Sequence, residues 1–247
     1  MSIVEIKNLT KIYGSGETAV IALDHVSFAV EAGEFVAIMG PSGCGKSTLL
    51  HLVGGLDHSS EGSVTIGGLT LSALSDDRLT ELRRKKIGFV FQFFNLIPVL
   101  NAVENAALPV TLDGIQQSVA RQRATDWLNK IGMSDRLSHR PDQLSGGQQQ
   151  RVAVARALVS EPELILADEP TGNLDTRAGD EIARLLRKAC KEWNRTVIMV
   201  THDPRIAAYA DRIIFLKDGR ITEQTLLETK DSGSNPDGIA EMMKGLD

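Results

Sequence analysis

One glycine-rich stretch constrains this chain more than any other part of its sequence. Its spacing, Gly, four residues, then Gly-Lys-Ser, is typical of a loop that holds phosphate groups. Such a loop needs residues without a Cβ, because its backbone N–H groups must approach the anion closely. The stretch consists of Gly40, Pro41, Ser42, Gly43, Cys44, Gly45, Lys46, Ser47 and Thr48.

The residues on either side of the loop support this interpretation. Residues 35–39 form a continuous apolar run typical of a buried parallel strand, and residues 48–53 favour a helix. A helix that begins near Lys46 directs its N-terminal N–H groups and its dipole at the same anion. The Lys46 ammonium can then reach the β- and γ-phosphates of a nucleotide, and the Ser47 hydroxyl suits an octahedral Mg²⁺ ion.

Composition limits the class of protein. The net charge of −5 over 247 residues argues against a general nucleic-acid binder. No apolar run approaches the roughly 20 residues that span a bilayer, and the N-terminus lacks a signal-peptide pattern. The two cysteines, Cys44 and Cys190, have no metal-ligand spacing, so we expect a cytosolic protein without a disulfide. Cys44 is expected to be a small filler that points away from the nucleotide.

Polar residues follow three further apolar runs. Residues 87–91 lead to Gln92 and residues 196–200 lead to His202. Because ligand sites lie at the carboxyl ends of strands in open α/β sheets, Gln92 belongs beside the phosphate loop. His202 lies at the same edge, although its residue type alone indicates only a helix cap.

The third run, residues 164–168, ends in two carboxylates. A pair of acidic residues at a strand end beside a phosphate loop implies a cation, because buried charges need partners. Asp168 is expected to hold Mg²⁺, as the second acidic motif of P-loop NTPases does. Glu169 lies one residue further and is suited to polarise a water molecule aimed at the γ-phosphate.

The remaining pattern predicts an α/β fold. Residues 3–8 and 20–30 indicate N-terminal strands in an antiparallel sheet, and residues 212–222 a hairpin. No strand is evident between residues 93 and about 160, where three helical segments predict an inserted helical subdomain. The apolar entry to it, residues 93–100, has two readings: burial within the subdomain, or an exposed groove for a partner helix. The three helical segments are residues 101–112, 117–131 and 146–159, and further predicted elements are a short strand ending in a turn at 61–68 and a helix at 76–86.

Residues 144–151, Leu-Ser-Gly-Gly-Gln-Gln-Gln-Arg, carry a family resemblance. They resemble the signature motif of the ATP-binding cassette (ABC) ATPases. The resemblance covers residues 2–223 and implies a P-loop NTPase core, followed by a tail at residues 224–247 with a flexible joint and a short helix. The motifs that match in order are Tyr13, the phosphate loop, Gln92, residues 144–148, Asp168-Glu169, Asn173-Leu174-Asp175 and His202.

The resemblance also implies roles for individual residues, with ATP and Mg²⁺ as the ligands. Glu169 is then the general base and His202 contacts the γ-phosphate. Tyr13 stacks on adenine, with Val20 beside it. Lys46 binds phosphate, while the residues that arrange Mg²⁺ and water are Ser47, Gln92 and Asp168.

The residue types of the signature motif also have a physical explanation. Ser145, Gly146, Gly147 and Gln148 open a helix, so their N–H groups form a second anion site. The resemblance implies that two copies associate head to tail, with each ATP held between the phosphate loop of one copy and the signature of the other. Asp175 then bridges the two halves.

Several loop sequences resemble one branch of the family, the ATPases of lipoprotein-release, macrolide-export and cyanobacterial glycolipid-export systems. The resemblance implies a separate membrane permease with a large extracytoplasmic domain, an adaptor protein, and a peripheral location on the cytoplasmic face of the membrane. The permease would dock on the helical subdomain near Phe93, Phe94 and Leu96. The matching stretches are residues 54–57, 91–96, 104–105 and 167–175.

Three other functions compete with that of an exporter ATPase. A mechanotransducing ATPase of the cell-division type, which regulates a wall enzyme without transport, shares every catalytic residue and differs only in its partner. A soluble ABC ATPase acting on DNA or ribosomes is disfavoured by the acidic charge, the single cassette and the absence of a heptad run. A GTPase is disfavoured because Asn129-Lys130 is followed by Ile131-Gly132 and not by an aspartate that reads the base.

Overall fold

The computed structural model describes residues 2–227 and 238–241. The strands are β1 (Ser2–Tyr13), β2 (Val20–Glu31), β3 (Phe35–Met39), β4 (Glu61–Ile66), β5 (Leu69–Thr70), β6 (Ile87–Phe91), β7 (Leu164–Asp168), β8 (Thr196–Val200), β9 (Arg212–Lys217) and β10 (Arg220–Leu226). The α-helices are α1 (Lys46–Val53), α2 (Asp76–Lys86), α3 (Ala102–Leu112), α4 (Gln117–Lys130), α5 (Gly146–Leu158), α6 (Thr176–Lys191) and α7 (Pro204–Ala207).

Two sheets organise the fold. The N-terminal sheet has the order β2-β1-β4-β5 and is antiparallel. The larger sheet has the order β10-β9-β3-β8-β7-β6, in which only β10 runs antiparallel to its neighbour. Helices α3, α4 and α5 all lie between β6 and β7 in the chain. This architecture confirms the predicted fold class, including the antiparallel N-terminal sheet and the helical insertion.

The central strand β3 explains why the core strands read as continuous apolar runs. All five of its residues are buried. Phe35, Ala37 and Met39 belong to the hydrophobic cluster that includes the insertion helices. Val36 and Ile38 face the other way, into the cluster formed with α1 and the N-terminal sheet. Since both faces of the strand are covered, no polar alternation survives in its sequence.

The structure departs from the predicted elements in several places. Strand β1 continues to Tyr13, where the sequence predicts a strand only over residues 3–8, and β5 and α7 are not among the predicted elements. Helix α6, with its buried stripe of Ile182, Leu185, Leu186 and Ala189, is not among the predicted elements. The hairpin strand β10 is longer than predicted, because pairing with β9 continues to Leu226 opposite Arg212.

The C-terminal tail is described only in part. Residues 238–241 form a helical turn, in which Ile239 is buried. The flexible joint predicted at residues 231–238 lies outside the described residues, apart from Gly238.

The entry to the helical insertion is buried only in part. Phe93 and Val99 are 72% and 71% exposed, whereas Leu96 packs against the core. Burial within the subdomain therefore accounts for Leu96 but not for Phe93 and Val99, and a groove for a partner helix stays a prediction.

Candidate active site

Polar segments meet at one edge of the larger sheet. Strands β3, β6, β7 and β8 are parallel, so their carboxyl ends share that edge. The residues that follow them are the phosphate loop, Gln92, Glu169 and His202, while Asp168 is the last residue of β7. The structure thus brings together the segments for which the sequence predicts a phosphate and cation site.

Two glycines of the phosphate loop are required by space as well as by backbone angle. Gly40 has φ +154° and Gly45 has φ +102°. A Cβ on Gly40 would lie 1.9 Å from the carbonyl oxygen of Leu216, and one on Gly45 would lie 2.3 Å from that of Ala22. Any other residue at either position would push the loop away from the strands it rests on.

The lysine of the loop is held by the loop itself. Lys46 is only 8% exposed, and its Nζ donates hydrogen bonds to the carbonyl oxygens of Gly40 (2.8 Å) and Pro41 (2.7 Å). The buried Cys44 lies nearby, with Sγ 3.9 Å from the same Nζ. Burial raises the pKa of the Cys44 thiol, so it stays protonated and acts as a packing residue.

The candidate cation site is centred on Ser47 and Asp168. The Ser47 hydroxyl donates to Asp168 Oδ1 at 3.0 Å, and His51 Nε2 lies 4.0 Å from Asp168 Oδ2. Within the described ranges, no group of three His, Cys, Asp or Glu side chains forms a metal cage. Mg²⁺ typically binds through one or two protein oxygens and the phosphates of its substrate. The hydroxyl and carboxylate oxygens of this pair therefore fit Mg²⁺.

The second carboxylate is held in an unusual backbone conformation. Glu169 has φ +46°, a left-handed conformation that is uncommon for non-glycine residues and recurs at active sites. Its N–H donates to the carbonyl oxygen of Val200 at 3.0 Å. Its Oε2 lies 3.0 Å from His202 Nδ1. The tight turn therefore directs the Glu169 carboxylate toward the histidine from the neighbouring strand.

Gln92 forms a reciprocal pair with Asn173. The Gln92 side-chain Nε2 donates to Asn173 Oδ1 at 3.1 Å, and Asn173 Nδ2 donates to the Gln92 backbone oxygen at 3.1 Å. Gly172 leaves the space that this pair needs, because a Cβ there would lie 2.8 Å from Gln92 Nε2.

A buried glutamine makes hydrogen bonds to the main chain beside Gln92 and beside Glu169. Gln150 on α5 is fully buried. Its Nε2 donates to the carbonyl oxygens of Phe91 (3.2 Å) and Pro170 (2.6 Å). Because these residues directly precede Gln92 and follow Glu169, one side chain fixes the backbone on both sides of the site.

The signature residues form a separate region. Ser145 caps α5: its Oγ accepts from the N–H of Gln148, whose side chain accepts in return from the Ser145 N–H. Asp175 caps α6 by accepting from the N–H of Ala178 at 2.9 Å. Gly147 packs closely against α6, where its Cβ would lie 3.1 Å from that of Ala178. The ends of α5 and α6 therefore present Ser145, Gln148 and Asp175 on one surface.

Tyr13 and Val20 face each other across the N-terminal sheet. The two residues are partners in the β1–β2 register, and they are 42% and 63% exposed. The Tyr13 hydroxyl donates to Asp57 Oδ2 at 2.8 Å. Lys11 Nζ donates to Asp57 Oδ1 at 2.7 Å and lies 4.7 Å from the centre of the Tyr13 ring. The ring is therefore held at both its edge and one face.

The charges around the ring reinforce this arrangement. Partial burial and the hydrogen bond to Asp57 raise the pKa of the Tyr13 phenol. Burial opposes ionisation of Asp57, but hydrogen bonds from Lys11 and Tyr13 hold the pKa of its carboxyl below the ordinary value. Tyr13 therefore stays a hydroxyl donor and Asp57 a charged acceptor.

Sequence reasoning missed several of these contacts. Lys11, Asp57, Gln150 and Asn173 received no role, although Asp57, Gln150 and Asn173 lie in stretches that carry the family resemblance. Their hydrogen bonds join residues 44 to 81 positions apart, except the one from Gln150 to Pro170, which spans 20, so no local spacing signals these contacts. The residue type and position of Asp57 give no hint that its carboxylate accepts a hydrogen bond from a tyrosine at the end of β1.

Comparison with protein families gives one clear match. The family model described as ABC transporter matches residues 23–172, which is more than half of the chain. In the part of the chain that the structure describes, no helix is both long and apolar enough to cross a membrane.

Two relatives show how far the similarity extends. The ABC transporter ATP-binding protein MJ0796 of Methanocaldococcus jannaschii is 49% identical over 228 residues, which cover 91% of this chain and 97% of that protein. The macrolide export ATP-binding/permease protein MacB of Burkholderia pseudomallei is 50% identical over 224 residues. That match covers 91% of this chain but only 34% of MacB.

Solved structures agree with the fold. A dimeric structure of the cassette MJ0796 in a post-hydrolysis state, bound to ADP and Pi, has a TM-score of 0.84 at 47% identity and covers 92% of this chain and 100% of that one. CbiO1 of Clostridium perfringens, part of the transporter complex cbiONQ, has a TM-score of 0.83 at 29% identity. The match covers 97% of this chain and 91% of that one.

Proposed function

Because this chain belongs to the family of ABC transporter ATPases, we propose that it is the nucleotide-binding subunit of a membrane exporter. In this proposal two copies close head to tail around two ATP molecules and drive a separate permease. The observation that carries the nucleotide chemistry of this proposal is the convergence of Lys46, the Ser47–Asp168 pair and Glu169 at one sheet edge. Hydrolysis of ATP needs a cation for the phosphates, ligands for Mg²⁺ and a base for the attacking water, and these groups supply all three.

The phosphate loop supplies the binding energy for the triphosphate. Its backbone N–H groups and the N-terminus of α1 attract the anion. The two carbonyl oxygens that hold Lys46 Nζ place the ammonium at the loop before nucleotide arrives. Little reorganisation is then needed when phosphate oxygens take over from the carbonyl oxygens.

Ser47, Asp168 and Gln92 are the residues that would hold Mg²⁺. When bound, Mg²⁺ neutralises charge that develops on the phosphate oxygens. Asp168 accepts from Ser47, which keeps its carboxylate turned toward the loop. Gln92 contributes an amide oxygen from the neighbouring strand end.

Glu169 acts as the general base and His202 as its partner. The carboxylate can accept a proton from water as the oxygen attacks the γ-phosphate. His202, 68% exposed at its side chain, lies within hydrogen-bond distance of Glu169 Oε2 and is free to contact the γ-phosphate with its other nitrogen.

Tyr13 provides the surface for adenine, with Val20 beside it. The Lys11 ammonium lies near the ring, and the Asp57 hydrogen bond fixes the ring plane. An aromatic base can stack on the exposed face of a tyrosine held in this way.

The signature residues complete the site in the second copy. Their helix N-terminus is an anion site, and they share a surface with Asp175 that is not lined by the phosphate loop. The MJ0796 structure is described as dimeric and bound to ADP and Pi. This supports a head-to-tail dimer here, in which Ser145, Gly146 and Gln148 of one copy approach the nucleotide held by the other.

The exposed Phe93 on the helical insertion is the proposed contact with the permease. Phe93 follows Gln92 directly in the chain, so a movement of the permease that displaces Phe93 would also displace Gln92 in the site. MacB is named as an export ATP-binding/permease protein, which supports a permease of the export type and a peripheral place at the cytoplasmic membrane face. An adaptor protein and a large outer permease domain belong to the same proposal.

Recovery of the partners tests this function. Tagged Glu169→Gln chain, loaded with ATP and Mg²⁺, is mixed with detergent-solubilised membranes of the native cell, and bound proteins are identified by mass spectrometry. We expect a permease, and we expect Phe93→Ser to abolish its recovery. The matched control is Leu226→Ser, since Leu226 is 77% exposed on β10.

The companions of the permease decide between two functions. An adaptor protein supports export, whereas a wall hydrolase supports mechanical signalling. Recovery of ribosomes or DNA-bound proteins without an integral membrane protein would overturn the exporter proposal and leave the ATPase chemistry intact.

A further inference from the structure

We propose that Asn173 is a positioning residue that decides which end of the Gln92 side-chain amide faces the cation site. The inference rests on the proposed function, since it takes Gln92 as a residue that holds Mg²⁺. It concerns a residue that is separated from Gln92 by 81 positions in the chain.

The backbone carbonyl of Gln92 fixes the direction of both hydrogen bonds in the pair. The backbone carbonyl of Gln92 can only accept a hydrogen bond, so the Asn173 atom 3.1 Å from it must be the amide nitrogen. The other end of the Asn173 amide is then its oxygen, which can only accept. The Gln92 atom 3.1 Å from that oxygen must therefore be Nε2. Gln92 Oε1 is the end left for another ligand.

The reversed orientation of the Gln92 amide is disfavoured by the same pair. It would place Oε1 against Asn173 Oδ1, so that two acceptors face each other and the hydrogen bond is lost. Asn173 cannot rotate its own amide to compensate, because its nitrogen is held by the Gln92 carbonyl. The two hydrogen bonds thus form a closed ring in which only one arrangement satisfies every group.

Gly172 restricts the side chain further. A Cβ at this position would lie 2.8 Å from Gln92 Nε2 and 3.1 Å from its Cδ. The amide of Gln92 therefore rests directly on the main chain of Gly172, and a side chain at this position would displace the amide from its place beside Asn173.

The orientation matters because a hard cation binds oxygen. Mg²⁺ coordinates the carbonyl oxygen of an amide, whereas the amide N–H₂ presents two hydrogens to the ion. A Gln92 side chain that turned freely would present the wrong end part of the time. Asn173 fixes the orientation of the amide before the ion arrives, so no binding free energy is spent on turning it.

A binding measurement without turnover tests the inference. Mn²⁺, which electron paramagnetic resonance detects when free, replaces Mg²⁺ in the ATP-loaded Glu169→Gln chain. We expect Asn173→Ala to weaken Mn²⁺ binding by about three- to tenfold, the range for one net hydrogen bond. In a chain that already carries Gln92→Ala, Asn173→Ala should add no further loss.

Two controls separate positioning from general damage. Asn129→Ala, on the exposed face of α4, should leave Mn²⁺ affinity unchanged. Binding of ATP in the presence of a chelator should be the same for Asn173→Ala as for its parent, because the phosphate loop is not altered.

The outcomes distinguish the inference from the proposed function. If Gln92→Ala leaves Mn²⁺ affinity unchanged, the metal role of Gln92 is wrong. If Gln92→Ala weakens binding but Asn173→Ala does not, or if Asn173→Ala weakens it equally in both backgrounds, the positioning role of Asn173 is refuted.

Discussion

Replacement of Glu169 by glutamine is the sharpest test of the proposed chemistry. The amide keeps the size of the side chain and can still pair with His202 Nδ1, which lies 3.0 Å from Oε2. It cannot take a proton from water at neutral pH. The substitution therefore removes the base and leaves Lys46 and the Ser47–Asp168 pair untouched.

Loss of a general base costs about 10²–10⁴ in rate. At 1.36 kcal/mol for each factor of ten, this corresponds to about 3–5 kcal/mol of barrier. We expect kcat for phosphate release at saturating ATP to fall by this factor while ATP affinity is retained. Since ATP then persists, the dimer should accumulate, which sedimentation velocity detects.

The chain offers a matched control at the opposite end of the same strand. Glu163 immediately precedes β7, whereas Glu169 immediately follows it. The Glu163 side chain is 42% exposed and pairs with Lys86, so Glu163→Gln should change kcat by less than about twofold, as expected for a surface charge. A Glu169→Gln enzyme that keeps more than about one-tenth of the wild-type kcat would refute the base assignment.

Three further substitutions test other parts of the structure. Asp57→Ala removes the hydrogen bond to the Tyr13 hydroxyl, and we expect it to raise KM for ATP about two- to tenfold with little change in kcat, as steady-state kinetics will show. Gly40→Ala should prevent the native loop from forming, because the added Cβ meets a backbone oxygen at 1.9 Å; a wild-type unfolding temperature and nucleotide affinity would contradict this. Burial opposes ionisation of Asp211, but hydrogen bonds from a backbone N–H and Arg187 hold its carboxyl pKa below the ordinary value of 3.8. Its stabilising contribution is therefore present above pH 3.8 and lost as the pH falls through the lower folded value, so Asp211→Asn should lower the free energy of unfolding by about 1–3 kcal/mol at pH 7 and by less near pH 2, measured with urea.

The sequence by itself determined the elements and much of the site. Strands such as β3 and β7 are covered on both faces, so they appear as unbroken apolar runs. The phosphate loop is a contiguous motif whose backbone requirements show in its glycines. Asp168 and Glu169 could be predicted as site residues because they stand at the carboxyl end of an apolar strand. In each case the physical cause acts between neighbours in the chain, which is what a pattern records.

Other features depended on which distant segments meet. The strand order places β3 between β8 and β9, so the phosphate loop lies beside strand ends that come more than 120 residues later. The hydrogen bond from Tyr13 to Asp57 joins the end of β1 to the loop between α1 and β4. The orientation of Gln92 is set by Asn173 in the same way. Hydrogen bonds of this kind have no periodicity and no fixed spacing, because they form only after the sheets have packed. The sequence determined the reactive groups, and the tertiary structure decided which groups hold them in place.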